Sequence, residues 1–123
     1  MKTSNLMIGD WMFSYGHSRQ IEAIYDNERI QANCIELSED EFDPIPLTQE
    51  ILEKNGFESD TNMFGLCDYE LSESYILENR GDRFCFVKRI PGHSSTFHII
   101  DIKYVHELQH VLKFFEIERE IKL

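Results

Sequence analysis

The sequence predicts an α+β protein in which short antiparallel strands come first and one strong amphipathic helix comes last. Three observations predict it. Residues 6 to 47 break into short alternating polar and apolar runs separated by turn residues, the period-two pattern of half-buried strands. A second set of such runs lies between 63 and 100. The last twenty-two residues, Ile102 to Leu123, instead repeat apolar residues at i, i+3, i+4 and i+7, the stripe of a helix that covers a sheet.

In the N-terminal part, Leu6 to Tyr15 alternates with Trp11, Phe13 and Tyr15 on one side, and Gly16-His17-Ser18 is expected to turn the chain. Gln20 to Tyr25 follows as a second strand, closed by Asp26-Asn27. Arg29 to Leu37 reads as a third, with a phase shift that a bulge near Cys34 accounts for. Several short strands in about forty residues predict a small SH3-like β-barrel over 1–47. The run Glu36 to Asp43 is strongly acidic and reads as a solvated loop. A calcium loop is not supported, because the required sixth-position glycine is missing.

Residues 48–57 form the connecting helix. Thr48 caps Gln49–Lys54, with Ile51 and Leu52 inward, and Asn55-Gly56 supplies the left-handed stop. The remaining lobe, 58–123, begins with a loop at 58–62 and a strand within Met63 to Tyr69. A hairpin joins Tyr75–Glu78 to Arg83–Arg89, Gly81 supplying the positive φ of its turn. Turn chemistry accounts for the Arg80-Gly81-Asp82 tripeptide there. Thr96 to Ile100 is the last main strand, and Glu120 to Leu123 is expected to add a short edge strand. The C-terminal antiparallel sheet is then covered by the helix, making one compact unit with the barrel.

That helix contains the one motif with chemistry, His106-Glu107-x-x-His110. Two imidazoles one turn apart can hold zinc while the glutamate acts as general base on a metal-bound water. The positions where a longer form of this motif places a glycine and a third histidine hold Lys113 and Glu116. On the helical wheel Tyr104, Val105, Leu108, Val111, Leu112 and Phe115 share one side. His106 and His110 fall nearly opposite, beside Gln109 and Lys113, and are expected in water, with Asp101 capping the helix. On that reading no catalytic residue, cofactor or metal ligand is assigned. His93 and His98 join no other metal-ligand spacing.

The opening Ile8-Gly-Asp-Trp-Met12 resembles the first strand of barrels of the KOW type, which implies RNA or ribosomal partners. Three segments, Leu6 to Trp11, Ile45 to Phe57 and Ile102 to His110, together resemble a group of short uncharacterised proteins of gut anaerobic bacteria and their phages. The group has no assigned activity, so no catalytic residue transfers.

The net charge of −11 repels nucleic-acid phosphates and acidic membrane surfaces, and direct binding to either is not expected. Three widely spaced cysteines, Cys34, Cys67 and Cys85, read as reduced thiols of a cytoplasmic protein. No apolar run of seven or more follows Lys2, so no signal peptide is expected. The leading expectation is a non-catalytic binding module of a phage or mobile element, with a protein partner or a small ligand, acting as an inhibitor that sequesters it. A zinc-dependent hydrolase on His106, Glu107 and His110 is the first alternative, and a structural or accessory virion protein the second.

Overall fold

A computed structural model describes residues 6–25, 29–32, 35–38, 41–61, 65–90, 92 and 96–123. Its two antiparallel sheets and two short helices make an α+β fold. The chain divides into two compact units. The first takes residues 1–46, 104–111 and 123; the second takes 47–103 and 112–122. Among the described residues no helix is long and apolar enough to cross a membrane.

The first unit holds β1 (Trp11–Ser14), β2 (His17–Ile24), β3 (Arg29–Ala32), β4 (Ile35–Ser38) and β5 (Asp43–Pro44), in the order β4-β3-β2-β1-β5. The sheet is open, with β4 and β5 as edges, so the barrel closure expected from the sequence is not seen. β2 pairs β1 through residues 17–20 and β3 through 21–24, which divides one long strand between two neighbours. The hairpin turn is Tyr15-Gly16, one residue earlier than expected. Ser14 pairs His17, and both turn residues have positive φ, +46° and +79°, as a two-residue type I′ turn requires. Tyr15 is held there by its hydroxyl, which donates to the Glu41 carboxylate.

The expected third strand is two strands. β3 and β4 pair antiparallel from Arg29–Ser38 to Ala32–Ile35. The phase shift therefore marks a chain reversal and not a bulge; Asn33 and Cys34 lie outside the described residues. The acidic run is likewise not a plain loop. It contributes Glu36 to β4 and Asp43 to β5, and Phe42 between them is buried. Phe42 joins Leu6, Met12, Ile21, Ile30 and Ala32 in one cluster, with Ile24 packed against it.

The second unit begins with α1 (Gln49–Lys54). Thr48 Oγ1 accepts from the Ile51 N–H at 3.3 Å, and Gly56 takes φ +78° after the C-cap Asn55, as the sequence predicts. The sheet is a meander in the order β10-β9-β8-β7-β6: β6 (Ser59–Thr61), β7 (Cys67–Glu70), β8 (Tyr75–Asn79), β9 (Phe84–Arg89) and β10 (Thr96–Ile102). Two expectations change. Residues 59–61 form an edge strand paired to β7 where a loop was expected. The segment 120–123 forms no strand; its Lys122 backbone is clamped by Asn55, whose Oδ1 accepts from the Lys122 N–H at 2.7 Å. The β8–β9 hairpin closes as expected, with Gly81 at φ +91°. Tyr75 stacks on Phe86 at 5.1 Å, and Phe115 meets Phe86 at 4.9 Å.

Helix α2 spans Val105–Phe114, shorter at both ends than the periodic stretch suggests. Glu116 at φ +55° ends it, and the Ile117 N–H returns to the Leu112 carbonyl at 2.8 Å. Val105, Leu108, Val111 and Leu112 are buried, so the apolar stripe is read correctly. The expectation set the whole helix over the second sheet. Its residues up to 111 group instead with the first unit.

Candidate functional site

The His-Glu-x-x-His segment lies in the first unit, against the turn that precedes β1. Gly9, at φ +96°, lets the chain reverse there, and the Asp10 N–H donates to the Met7 carbonyl at 3.1 Å. The Asp10 carboxylate accepts in return from the Met7 N–H at 2.8 Å. That carboxylate is 2% exposed, so it needs a partner of opposite charge or strong donors. His110 supplies one: its Nε2 lies 2.7 Å from Asp10 Oδ2. Gln109 grips the same segment. Its Nε2 donates to the Gly9 carbonyl at 2.8 Å and its Oε1 accepts from the Trp11 N–H at 2.8 Å. A helix side chain thus completes the backbone bonding that a neighbouring strand would otherwise provide.

The other two motif residues are equally committed. Glu107 Oε1 accepts from the Tyr104 N–H at 3.0 Å, the returning half of a capping box. Asp101 was expected as the cap but belongs to β10. His106 is 6% exposed and stacks on Tyr104, ring centroids 6.0 Å apart. Its ring meets His110 edge-on at 5.6 Å. The expectation of two histidines facing water is therefore corrected. Part of the polar face of the helix is a clamp, with His106 buried and Gln109 and His110 half-buried, because an amide and an imidazole can be satisfied by the backbone and the one carboxylate of the 7–11 turn.

The clamp predicts a pH dependence. Burial holds His106 below its ordinary value of 6.5; the Asp10 carboxylate pulls the other way and His110 adds to the depression. Its Nδ1 is buried without a hydrogen-bond partner among the described residues, which also disfavours a charge there. The unfolded chain takes up a proton near 6.5 that the folded chain accepts only at lower pH. Stability attributable to His106 is complete above 6.5 and falls as pH drops below it. Urea denaturation at neutral and mildly acid pH should show that loss in the wild type and a smaller one in His106→Gln. An equal loss in both contradicts the assignment.

Among the described residues, the one group of three His, Cys, Asp or Glu side chains whose ligand atoms all lie within 4.8 Å of one another is Cys85, His98 and Asp101. Cys85 Sγ is 3.3 Å and His98 Nε2 is 2.8 Å from Asp101 Oδ1. Burial first, and then the hydrogen bond to Asp101, pushes the Cys85 thiol up, so it stands as a donor. The His98 hydrogen bond, followed by that from Cys85, holds the Asp101 carboxyl below its usual range. Sequence spacing gave His98 no ligand partners; a register break in β10 brings it to this group. A surface pocket of about 310 Å³ is lined by Glu58, Asp60, Asp68, Glu70 and Arg89 among others. Three of its carboxylates are engaged within the fold, Asp68 by the Asn79 N–H, Asp60 by the Thr61 N–H and Glu70 by Arg89.

No family model, curated protein or solved structure matches the chain.

Proposed function

We propose that the chain is a non-catalytic binding module that engages a protein partner through the outer face of β1. The observation that carries this is the placement of three aromatic side chains. Met12 and Ser14 point into the first unit, leaving Phe13 41% exposed beside a half-buried Trp11 on the other face of β1, and Tyr15, in the turn that follows, is 70% exposed. Isolated exposed apolar residues are ordinary, but aromatics gathered on one strand face and its adjoining turn are the composition of interface hot spots. Polar residues rim it: Phe13 lies opposite Ser18 on β2 and Asp43 on β5. A basic or polar rim around an apolar knob is the complementary partner chemistry, in keeping with the net charge of −11.

The strand order supports an SH3-like lobe, in which a four-strand meander is followed by a last strand that returns to the first. The resemblance of the three segments to proteins of gut anaerobes and their phages supports a mobile-element origin and a host protein as partner. A hydrolase is less well supported, because Glu107 and His110, the base and a ligand of that reading, already serve the helix cap and the Asp10 pair.

Phe13→Ala and Tyr15→Ala are expected to leave the melting temperature almost unchanged, since neither side chain is in the core. Each should weaken the partner complex by about tenfold or more, as hot-spot truncations do. The measurement is paired affinity capture on wild-type and variant baits, followed by titration of the protein that distinguishes them. A partner held equally by wild type and the Phe13→Ala, Tyr15→Ala double variant contradicts the placement of the surface.

A further inference from the structure

We propose that Cys85, His98 and Asp101 form a zinc-binding site on β9 and the edge strand β10 of the second sheet, with three protein ligands and a fourth position taken by water. This goes beyond the binding-module reading and is independent of it, since it stands on residues of the second unit alone.

The fold assembles the trio from both strands. Cys85 and Asp101 are directly opposed across β9 and β10, so their side chains share a face. Strict alternation would send His98, three residues before Asp101, to the opposite face. The register shifts between His98 and Ile100, which takes one residue out of the ladder. His98 then lies opposite Val87, two residues from Cys85 and on its face. Re-aiming one side chain in this way is what bulges beside functional sites do.

The distances suit the ion. Zinc bonds of about 2.0–2.3 Å in tetrahedral array place ligand atoms about 3.3–3.5 Å from one another. The Sγ···Oδ1 separation is 3.3 Å, and the Nε2···Oδ1 separation is 2.8 Å. Insertion therefore requires His98 to withdraw by about half an ångström, and its side chain is 54% exposed, with room to do so.

The donor set selects the metal. Thiolate with imidazole and one carboxylate suits zinc; magnesium and calcium take all-oxygen sites. Arg83 is the cation nearest the carboxylate, and its Nε lies 3.3 Å from Asp101 Oδ2, the oxygen facing away from the trio. It stands beside the carboxylate as an ion-pair partner, in the place outer partners of metal ligands take. Its own charge is matched by Asp82, 3.0 Å from Nη1. Two anionic ligands balance the divalent charge, the thiol proton leaving to solvent as the sulfur–metal bond forms.

The test titrates cobalt(II), a spectroscopic stand-in for zinc, into the full chain after chelator treatment. One equivalent should produce a thiolate-to-cobalt charge-transfer band, and zinc should displace it. Cys67→Ser, the other described cysteine, should keep the band, and Cys85→Ser should lose it. Because Cys85 is buried, His98→Ala at the exposed ligand provides a second variant, with affinity lower by about tenfold or more. No band in the wild type, a band lost in Cys67→Ser alone, or unchanged affinity in His98→Ala overturns the site.

Discussion

Leu108→Asp is expected to abolish cooperative folding of the first unit. Leu108 is 0% exposed and lies in the stretch of α2 that groups with that unit. The substitution removes a fully buried side chain and leaves a cavity, at about 2–5 kcal/mol. It also places a carboxylate at a fully buried position, at several kcal/mol more whether the group ionises or is forced to stay protonated. The sum approaches the total stability of about 5–15 kcal/mol that a small domain has. Trp11, the chain's single tryptophan, reports the outcome, because its backbone N–H is bonded to Gln109 on the adjacent position of the helix and its half-buried ring lies in that unit. The variant should show unfolded-type Trp11 emission in native buffer. Lys113→Ala, at an exposed position of the same helix, should stay within about 0.5 kcal/mol of wild type. A Leu108→Asp protein that melts like wild type would mean that this stripe is not core.

The second large effect is expected from Asp10→Ala. The deletion strands two groups at once, the Met7 N–H and His110 Nε2, both bonded to the same carboxylate oxygen. Removing one partner of a buried charge-assisted pair costs about 3–5 kcal/mol. His110 retains 29% side-chain exposure, so water can replace part of what it loses, and the lower end of that range applies. His110→Ala leaves the opposite fault, a buried carboxylate with only a backbone donor. Each single variant should be costly, and the double variant should cost far less than their sum. Urea denaturation of the four proteins should return a coupling of about 1.5 kcal/mol or more. Additivity within about 0.5 kcal/mol would reduce the pair to a surface contact.

What was legible in the sequence was local. The Thr48 cap and Asn55-Gly56 stop, the Gly81 hairpin and the apolar stripe of α2 each depend on residues a few positions apart. The α+β class followed from the two hydrophobic periods. The clamp was not legible, because its halves are 100 residues apart in the chain. A wheel counts histidine and glutamine as polar and turns them to solvent; it holds no information that a buried carboxylate awaits them. The β3–β4 reversal was hidden for a related reason, since a change of phase reads equally as a bulge or a strand end. The Cys85–His98–Asp101 group depends on a register break in β10, which removes the odd-even rule by which His98 and Asp101 would be set on opposite faces. The shortened helix reflects its left-handed end at Glu116, a conformation no residue type announced.

His106 is buried in the first unit, and His110, half-buried beside it, is bonded to the turn at Asp10. Nitrogen-resolved NMR of the imidazole rings across neutral and acid pH tests this arrangement most directly. His106 should keep the signals of a neutral ring at pH values where a free histidine is already protonated. The His110 Nε2 resonance should also shift in Asp10→Ala. A His106 ring that titrates at the ordinary histidine value, together with a His110 Nε2 resonance unmoved by the loss of Asp10, would contradict this placement.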